Sequence, residues 1–498
     1  MNLLQKSPDP VVNLALDTIE LKKQALVFVN AKRSAEKVAE DISKKSPLKS
    51  DALSQLSEDI KTILPRPTKQ CERLALCAKK GIAFHHSGLH AKQKELVENA
   101  FREGVIKIIA CTPTLAAGLD LPAYRAIIRD LKRFGPHGMA PIPVLEFLQM
   151  AGRAGRPKYD TVGEAIVIVQ TETDKQYVID TYLRGVPEEI YSKLAVEPVL
   201  RTYLLSLINS RIIHSKETIL DFFSRTFWAF QYNDLERMAK IIDRMLKLLM
   251  EWGFIQEIQE GYRATIIGKR VAELYLDPLT AHIFIDALMR SESIKLKSIS
   301  FLHLVCDSLE MRPLLRVKQK EFDDVQEKYH LLESYLLKPE PSMFEPEYEE
   351  YLNAFKTALM LEEWIDEKDE EWMLEKYDCR PGEMRVKIDN ADWLLYSCHE
   401  LARLLSLQPL LKEIVKTRLR LKYGVKEELL ALIRFEGVGR VRARKLFKEG
   451  IKDVGDVKNA SQEKLARIVG DSVAKSLKKQ VGEKLEDDVF GEFEPKSH

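Results

Sequence analysis

No C-x-x-C pair occurs in this sequence. Its six cysteines, Cys71, Cys77, Cys111, Cys306, Cys379 and Cys398, are scattered, which excludes a zinc ribbon or a thioredoxin-like redox motif. No apolar run is long enough to span a bilayer, and no signal-peptide pattern opens the chain. A reducing, cytoplasmic setting with no membrane is therefore expected. Net charge is also scarce, at a formal +1. That balance does not exclude nucleic acid, because the charges are segregated: residues 339–372 are acidic and 412–448 basic. The phosphate-cradling pattern G-x-x-x-x-G-K-[ST] is missing as well.

What is present fills several domains. At 498 residues, 45% of them hydrophobic, three to five domains with real cores are expected. The first part alternates strands and helices. Residues 25–29 (ALVFV), 106–112 (IKIIACT) and 164–169 (EAIVIV) read as buried strands, and 31–45 as a helix. That alternation predicts an α/β parallel sheet with helices on both faces. Residues 46–68 read as a polar surface insertion. After about residue 190 amphipathic helices dominate. Residues 252–275 hold two β-like runs around Glu260-Gly261 beside helices, the pattern of a winged helix.

Chemistry concentrates in three stretches of the first part. FHHSGL ends at Leu89, CTPTLAAGLDLPA spans 111–123 straight after a strand, and QMAGRAGR spans 149–156. Thr112, Thr114 and Gly118 offer hydroxyls and open backbone at the carboxyl edge of a parallel sheet, where α/β folds bind ligands. Arg153 and Arg156, three residues apart, read as one face of a helix start suited to phosphate. A surface loop with two solvated arginines is the bland alternative. His85, His86 and His90 lack neighbouring carboxylates in a ligand pattern, so no metal site is expected.

In order and spacing these stretches resemble motifs IV to VI of superfamily 2 helicases of the Ski-like branch. The resemblance implies roles by position. Arg156 is the arginine finger on the ATP γ-phosphate, with Arg153 beside it and Gln149 near the attacking water. Gly118 and Asp120 face the nucleotide. Thr112, Thr114, His86 and Arg33, in the 30–34 turn, hold the nucleic-acid backbone. Between motifs V and VI, residues 127–147 look like a strand-separating hairpin with Phe134 near its tip, an ordinary surface hairpin being the alternative. An arginine finger completes a site whose other half is a P-loop and a carboxylate pair that hold ATP and Mg2+. No D-E-x-H or D-E-x-D follows a strand ahead of FHHSGL. A P-loop-containing first RecA-like lobe is therefore expected in cis or as a separate chain, and this chain alone is expected to be inactive.

The whole chain resembles the C-terminal portion of archaeal Hjm-type DNA repair helicases, relatives of the polymerase-theta helicase. The resemblance implies a second RecA-like lobe over 1–190, a winged helix over 191–276, a helical ratchet domain over 277–408 and a helix-hairpin-helix domain with an acidic tail over 409–498. It implies a ratchet helix at about 382–405, with Trp393 at the tryptophan position. The family's arginine falls on Val386, and Arg385 is the closest basic residue. A packed core residue is the other reading of Trp393. In 436–450 (EGVGRVRARKLFKEG) a G-V-G turn opens a helix, and Arg440, Arg442, Arg444 and Lys445 add charge, which is sequence-independent phosphate binding. Phe490 and Phe493 in the acidic tail read as a dock for a single-strand-binding protein, with a disordered tail as the alternative.

The expected function is the C-terminal portion of an ATP-dependent 3′-to-5′ DNA helicase acting on single-stranded and branched DNA in fork repair and recombination. A DNA-binding module without ATPase and an RNA helicase of the same superfamily are the rivals. The helix-hairpin-helix region favours DNA.

Overall fold

Five short strands carry the first unit: β1 (Ala25–Phe28), β2 (Ile82–His85), β3 (Ile108–Cys111), β4 (Arg125–Ile128) and, after the hairpin strands β5 (Lys132–Gly135) and β6 (Gly138–Pro141), β7 (Glu164–Val167). The structure, a computed structural model, describes residues 5–482 apart from 65, 119–120, 136–137 and 157–159, and of Ala117 and Phe134 the backbone alone. The sheet is parallel, in the order β2-β3-β1-β4-β7. Every residue of β1 to β4 is buried, as expected of a sheet covered on both faces. The exception in kind is Arg125 in β4. It is fully buried and satisfied by Glu164 at 2.6 Å, Asp17 at 2.5 Å and the Thr18 hydroxyl at 3.0 Å.

Residues 46–68 are not a surface insertion. They hold a helix, Asp51–Thr62, capped by Ser50, whose Leu53, Leu56 and Ile60 join the core of the lobe. The apolar stripe is helical, but polar neighbours dilute it in sequence.

The chain divides into two compact units: Met1–Ile190 with Glu370–Arg385, and Tyr191–Asp369 with Val386–His498. The return of 370–385 to the first unit was not expected, because these residues sit inside the helical stretch assigned to the ratchet domain. Ion pairs explain it. Arg33 meets Asp378 at 2.8 Å, Lys32 meets Glu383, Lys69 meets Glu375, and Arg380 reaches Glu36 at 3.3 Å. Gly382 donates its N–H to the Gly88 carbonyl at 3.1 Å, and a Cβ at Gly382 would run into the carbonyl oxygens of Ser87 and Leu89. Only glycine allows that approach.

In the second unit, helices Glu197–Asn209, Lys216–Ser224 and Leu235–Glu251 precede an antiparallel hairpin, β8 (Ile255–Ile258) and β9 (Gly261–Ala264). This is the winged-helix pattern expected for 252–275. Gly261 turns the hairpin at φ +120°, against the His214 carbonyl. Helices Ser298–Cys306 and Glu347–Ile365 pack together, and helix Gln408–Tyr423 packs on both. Trp364 donates its indole N–H to the Leu421 carbonyl at 2.9 Å. The basic helix at 408–423, which the resemblance placed almost wholly in the last domain, thus packs with the helical bundle. The following helices close a separate small core around Leu429, Phe435, Leu446, Leu465 and Leu477. Among the described residues no helix is long and apolar enough to cross a membrane.

Candidate nucleotide and nucleic-acid interface

The ends of the parallel strands organise the first site. Where the chain leaves β1, β3 and β4, an open cleft of about 650 Å³ is lined by Asn30, Ser87, Thr112, Thr114, Asp130 and Gln149, among others. Thr112 and Thr114 hydrogen-bond through their hydroxyls at 2.9 Å. Asp130 accepts the Asn30 backbone N–H at 3.0 Å, and the Asn30 side chain donates to the Lys132 carbonyl at 3.0 Å. Those bonds tie the 30–34 turn to β5. Arg133, also lining the cleft, pairs with Glu146 at 2.8 Å and ties the hairpin to helix Val144–Ala151. The cleft offers hydroxyls, amides, two basic side chains, Lys32 and Arg133, and two carboxylates, Asp130 and Glu146; hydroxyls and amides of this kind can bond a sugar–phosphate backbone.

His86 does not share in it. Expected on the strand backbone, its side chain is fully buried. Its Nδ1 accepts the Gly88 N–H at 3.1 Å, which makes Nε2 the protonated nitrogen of the neutral ring. Nε2 faces Glu36 Oε1 at 3.2 Å. Burial holds the imidazole below its ordinary pKa, although Glu36 pulls the other way. From this turn, Ser87 lines the cleft. Arg33 is exposed and paired with Asp378. Gln149, expected beside the γ-phosphate, opens onto the cleft with Thr112 and Thr114.

The two arginines of QMAGRAGR do not start a helix. Helix Val144–Ala151 ends before them, and a bridge between Ala123 and Ala154 holds their loop against the start of β4. They therefore do not share a helical face. Arg153 reaches back to the Ala116 carbonyl in the short helix Thr114–Gly118. Arg156 reaches the opposite edge of the sheet, where the chain enters β1. There it meets Asp160 through Nε at 2.7 Å and Nη2 at 3.2 Å, and the Gln24 side-chain oxygen through Nη1 at 2.7 Å. Lys23 adds a 2.6 Å contact to Asp160. Asp160, Gln24 and Lys23 were not foreseen. Asp160 lies one helical turn after Arg156 with opposite charge, but Pro157 between them hides that spacing from a helix-based reading. Gly118 is exposed, with open space where a Cβ would be. A permanently charged, planar guanidinium such as that of Arg156 can pair with a phosphate. A cluster of acidic side chains that could hold Mg2+ is missing among the described residues. Asp120, the Phe134 side chain, Phe490 and Phe493 lie outside what the structure describes; the backbone of Phe134 pairs with Met139 across the hairpin.

In the second unit, Trp393 lies on helix Pro381–Leu404, half-buried, with its indole N–H on the Leu274 carbonyl at 3.1 Å. Arg385 and Val386 are both exposed on the same helix. The four basic residues after the G-V-G turn separate into two pairs. Arg444 forks onto Glu367 at 2.8 and 2.5 Å and meets Glu428 at 2.7 Å. Arg440 donates to the Lys368 carbonyl at 2.6 Å and lies over the Trp364 ring at 4.5 Å. These two fasten the hairpin to the helical bundle. Arg442 and Lys445 remain exposed, at the helix whose first turn follows Gly439. Replacing both with glutamine is expected to lower the log–log salt slope of single-strand binding by about 1.4, since each phosphate contact carries about 0.7. A slope unchanged in salt titrations would turn this helix away from DNA.

Four family descriptions match the chain in sequence order: "Helicase conserved C-terminal domain" over 49–158, "Helix-turn-helix domain" over 163–256, "Archaeal helicase, domain 4" over 299–424 and "SAM-like Helix-hairpin-helix tandem" over 429–483. With the parallel sheet and helical domains, they define the class: a helicase C-terminal lobe followed by winged-helix, helical and helix-hairpin-helix domains. Similar proteins include the ATP-dependent DNA helicases Hel308 of Methanocella arvoryzae, 37% identical over 96% of this chain and 65% of the relative, and of Pyrococcus abyssi, 38% identical over 95% and 66%. That of Methanococcus vannielii is 36% identical over 96% of this chain and 68% of its own length. The chain belongs to the Hel308 helicase family, and it spans about two thirds of the length of these relatives.

Proposed function

We propose that this chain grips DNA and supplies the arginine finger in an ATP-dependent DNA helicase that moves 3′ to 5′ along single strands at stalled or branched forks. The observation that carries this reading is the pair of chemistries on one sheet. The cleft with Thr112 and Thr114 lies at the leaving edge of the strands, and Arg156 at the entering edge. A strand and a nucleotide can then bind the same lobe without competing. Arg153 links the two regions by hydrogen bond, because it follows the cleft-lining helix in sequence and donates to the carbonyl of Ala116, two residues after Thr114. When bound, ATP would supply the hydrolysis energy, with Mg2+ and most phosphate contacts coming from a P-loop lobe. The exposed Arg442 and Lys445 add sequence-independent grip.

The test pairs the chain with a P-loop lobe, in cis or in trans, and measures unwinding of forks with a 3′ or a 5′ single-stranded tail. Unwinding of the 3′-tailed DNA fork is expected, and DNA binding without ATP hydrolysis from the chain alone. A preference for RNA duplexes would favour the RNA-helicase rival. DNA binding with no hydrolysis even when the lobe is supplied would leave a binding module.

A further inference from the structure

We infer that Asp160 and Gln24 are positioning residues that fix the Arg156 guanidinium for an incoming phosphate, an inference that rests on the nucleotide-site reading of Arg156. Three nitrogens of that guanidinium are engaged from two sides. Asp160 takes Nε and Nη2 at 2.7 and 3.2 Å, and Gln24 takes Nη1 at 2.7 Å. Contacts on two edges of a planar fork fix both its position and its plane. The supports are themselves held. The Asp160 side chain is 1% exposed and shared with Lys23 at 2.6 Å, and its backbone N–H returns to the Arg156 carbonyl at 2.8 Å. Gln24 is buried, and its amide nitrogen donates to the Phe101 and Ile106 carbonyls at 2.6 and 2.9 Å. Those bonds leave its oxygen turned to Arg156.

The residue before Arg156 is fixed too. Gly155 donates to the Ala123 carbonyl at 2.6 Å, with φ at +93°. Arg156 keeps 18% of its side chain exposed, while Asp160 keeps almost none. The carboxylate therefore backs the guanidinium and does not cover it. A charged group oriented before its ligand arrives needs no reorganisation when charge develops on that ligand. The rotamer freedom of a long side chain is likewise lost in advance. The single carboxylate of Asp160 faces both cations, Arg156 at 2.7 Å and Lys23 at 2.6 Å, which offsets their mutual repulsion.

The experiment uses the full chain with a P-loop lobe and measures DNA-stimulated ATP hydrolysis. Asp160→Asn keeps the shape but loses the charge and one fork acceptor. It is expected to lower kcat by about 10- to 100-fold, the range expected when a catalytic group is misplaced by an ångström or less. The KM for ATP and the affinity for forked DNA should stay within about threefold. Gln24→Ala should act the same way but more weakly, and Asp160→Glu should restore part of the rate. The deciding measurement is the double variant. Groups acting through one residue are non-additive, so Asp160→Asn with Arg156→Ala should be no slower than Arg156→Ala alone. Rates that multiply, or a kcat for Asp160→Asn within twofold of wild type, would overturn the inference while leaving Arg156 as the finger. Should Asp160→Asn melt too low to assay, Gln24→Ala decides by the same comparison. Full hydrolysis by Arg156→Ala would instead remove the reading on which the inference stands.

Discussion

Arg156→Ala, assembled with a P-loop lobe, should lose about 10³-fold or more of its DNA-stimulated ATP hydrolysis and keep its affinity for forked DNA. A thousandfold is about 4 kcal/mol of transition-state stabilisation. Only a fixed, permanently charged group in a shielded position supplies so much. Arg156 meets those requirements: it is largely buried, anchored on two edges, and set apart from the cleft that would hold the strand. Lysine should not rescue it, because a point charge on a flexible stem cannot use the Asp160 and Gln24 supports as a planar fork does. Steady-state hydrolysis and DNA titrations on the same preparations check the claim. A variant within a few-fold of wild type would make Arg156 a structural arginine that serves the Asp160 ion pair.

Arg153 differs in kind, although sequence places the two side by side. Its Nε and Nη2 donate to the Ala116 carbonyl, inside the segment that carries Thr112 and Thr114. It braces the loop beneath the cleft. The different placements could not be read from G-R-A-G-R, because they depend on where helix Val144–Ala151 stops and on the pairing of Ala123 with Ala154.

What was legible in the sequence was whatever local periodicity encodes. The strands at 25–28, 108–111 and 164–167 stood out as short β-rich runs, and the wing at 255–264 and the turn at Gly437 as glycine punctuation between regular elements. Long-range pairing was not legible. Nothing near His86 announces that Glu36, fifty residues earlier, will bury it. Nothing near Arg444 announces Glu367, so a run of four basic residues looked like one DNA-facing surface when half of it binds the protein. Charged residues carry no periodic mark that separates a solvated one from a clamped one. The acidic stretch before residue 372 supplies clamps: Glu367 for Arg444 and Glu371 for Lys69.

Glu36 shows the energetic weight of such unseen pairs. It lies on helix Lys32–Ser43 and is 3% exposed. Its Oε1 accepts from Gln70 at 2.9 Å and faces Arg380 at 3.3 Å and His86 at 3.2 Å, while Oε2 takes Arg73 at 2.7 Å. Burial pushes its pKa up, but His86, Gln70, Arg380 and Arg73 together outweigh that and hold it at about 2, against an ordinary 4.5. Because the folded value lies below the unfolded one, the stability this group contributes is present in full above about pH 4.5. It is lost as pH falls toward 2, and amounts to roughly 3 kcal/mol. His86, buried neutral with a lowered pKa, adds an acid loss that begins below about 6.5.

Glu36→Ala at neutral pH removes the one acceptor that Arg380 and Arg73 share inside the lobe. Breaking a buried pair by deleting one partner costs about 3–5 kcal/mol. For a unit of this size that is roughly a 10 °C fall in melting temperature. Glu36→Gln should fall less and, having no proton to gain, should flatten the melting profile between pH 4.5 and pH 2. Arg380 belongs to the returning segment Glu370–Arg385, so limited proteolysis should cut that segment earlier in Glu36→Ala than in wild type. Melting curves unmoved at pH 7 and unchanged in acid slope would mean that Arg380 and the Gly382–Gly88 contact hold the segment without the carboxylate.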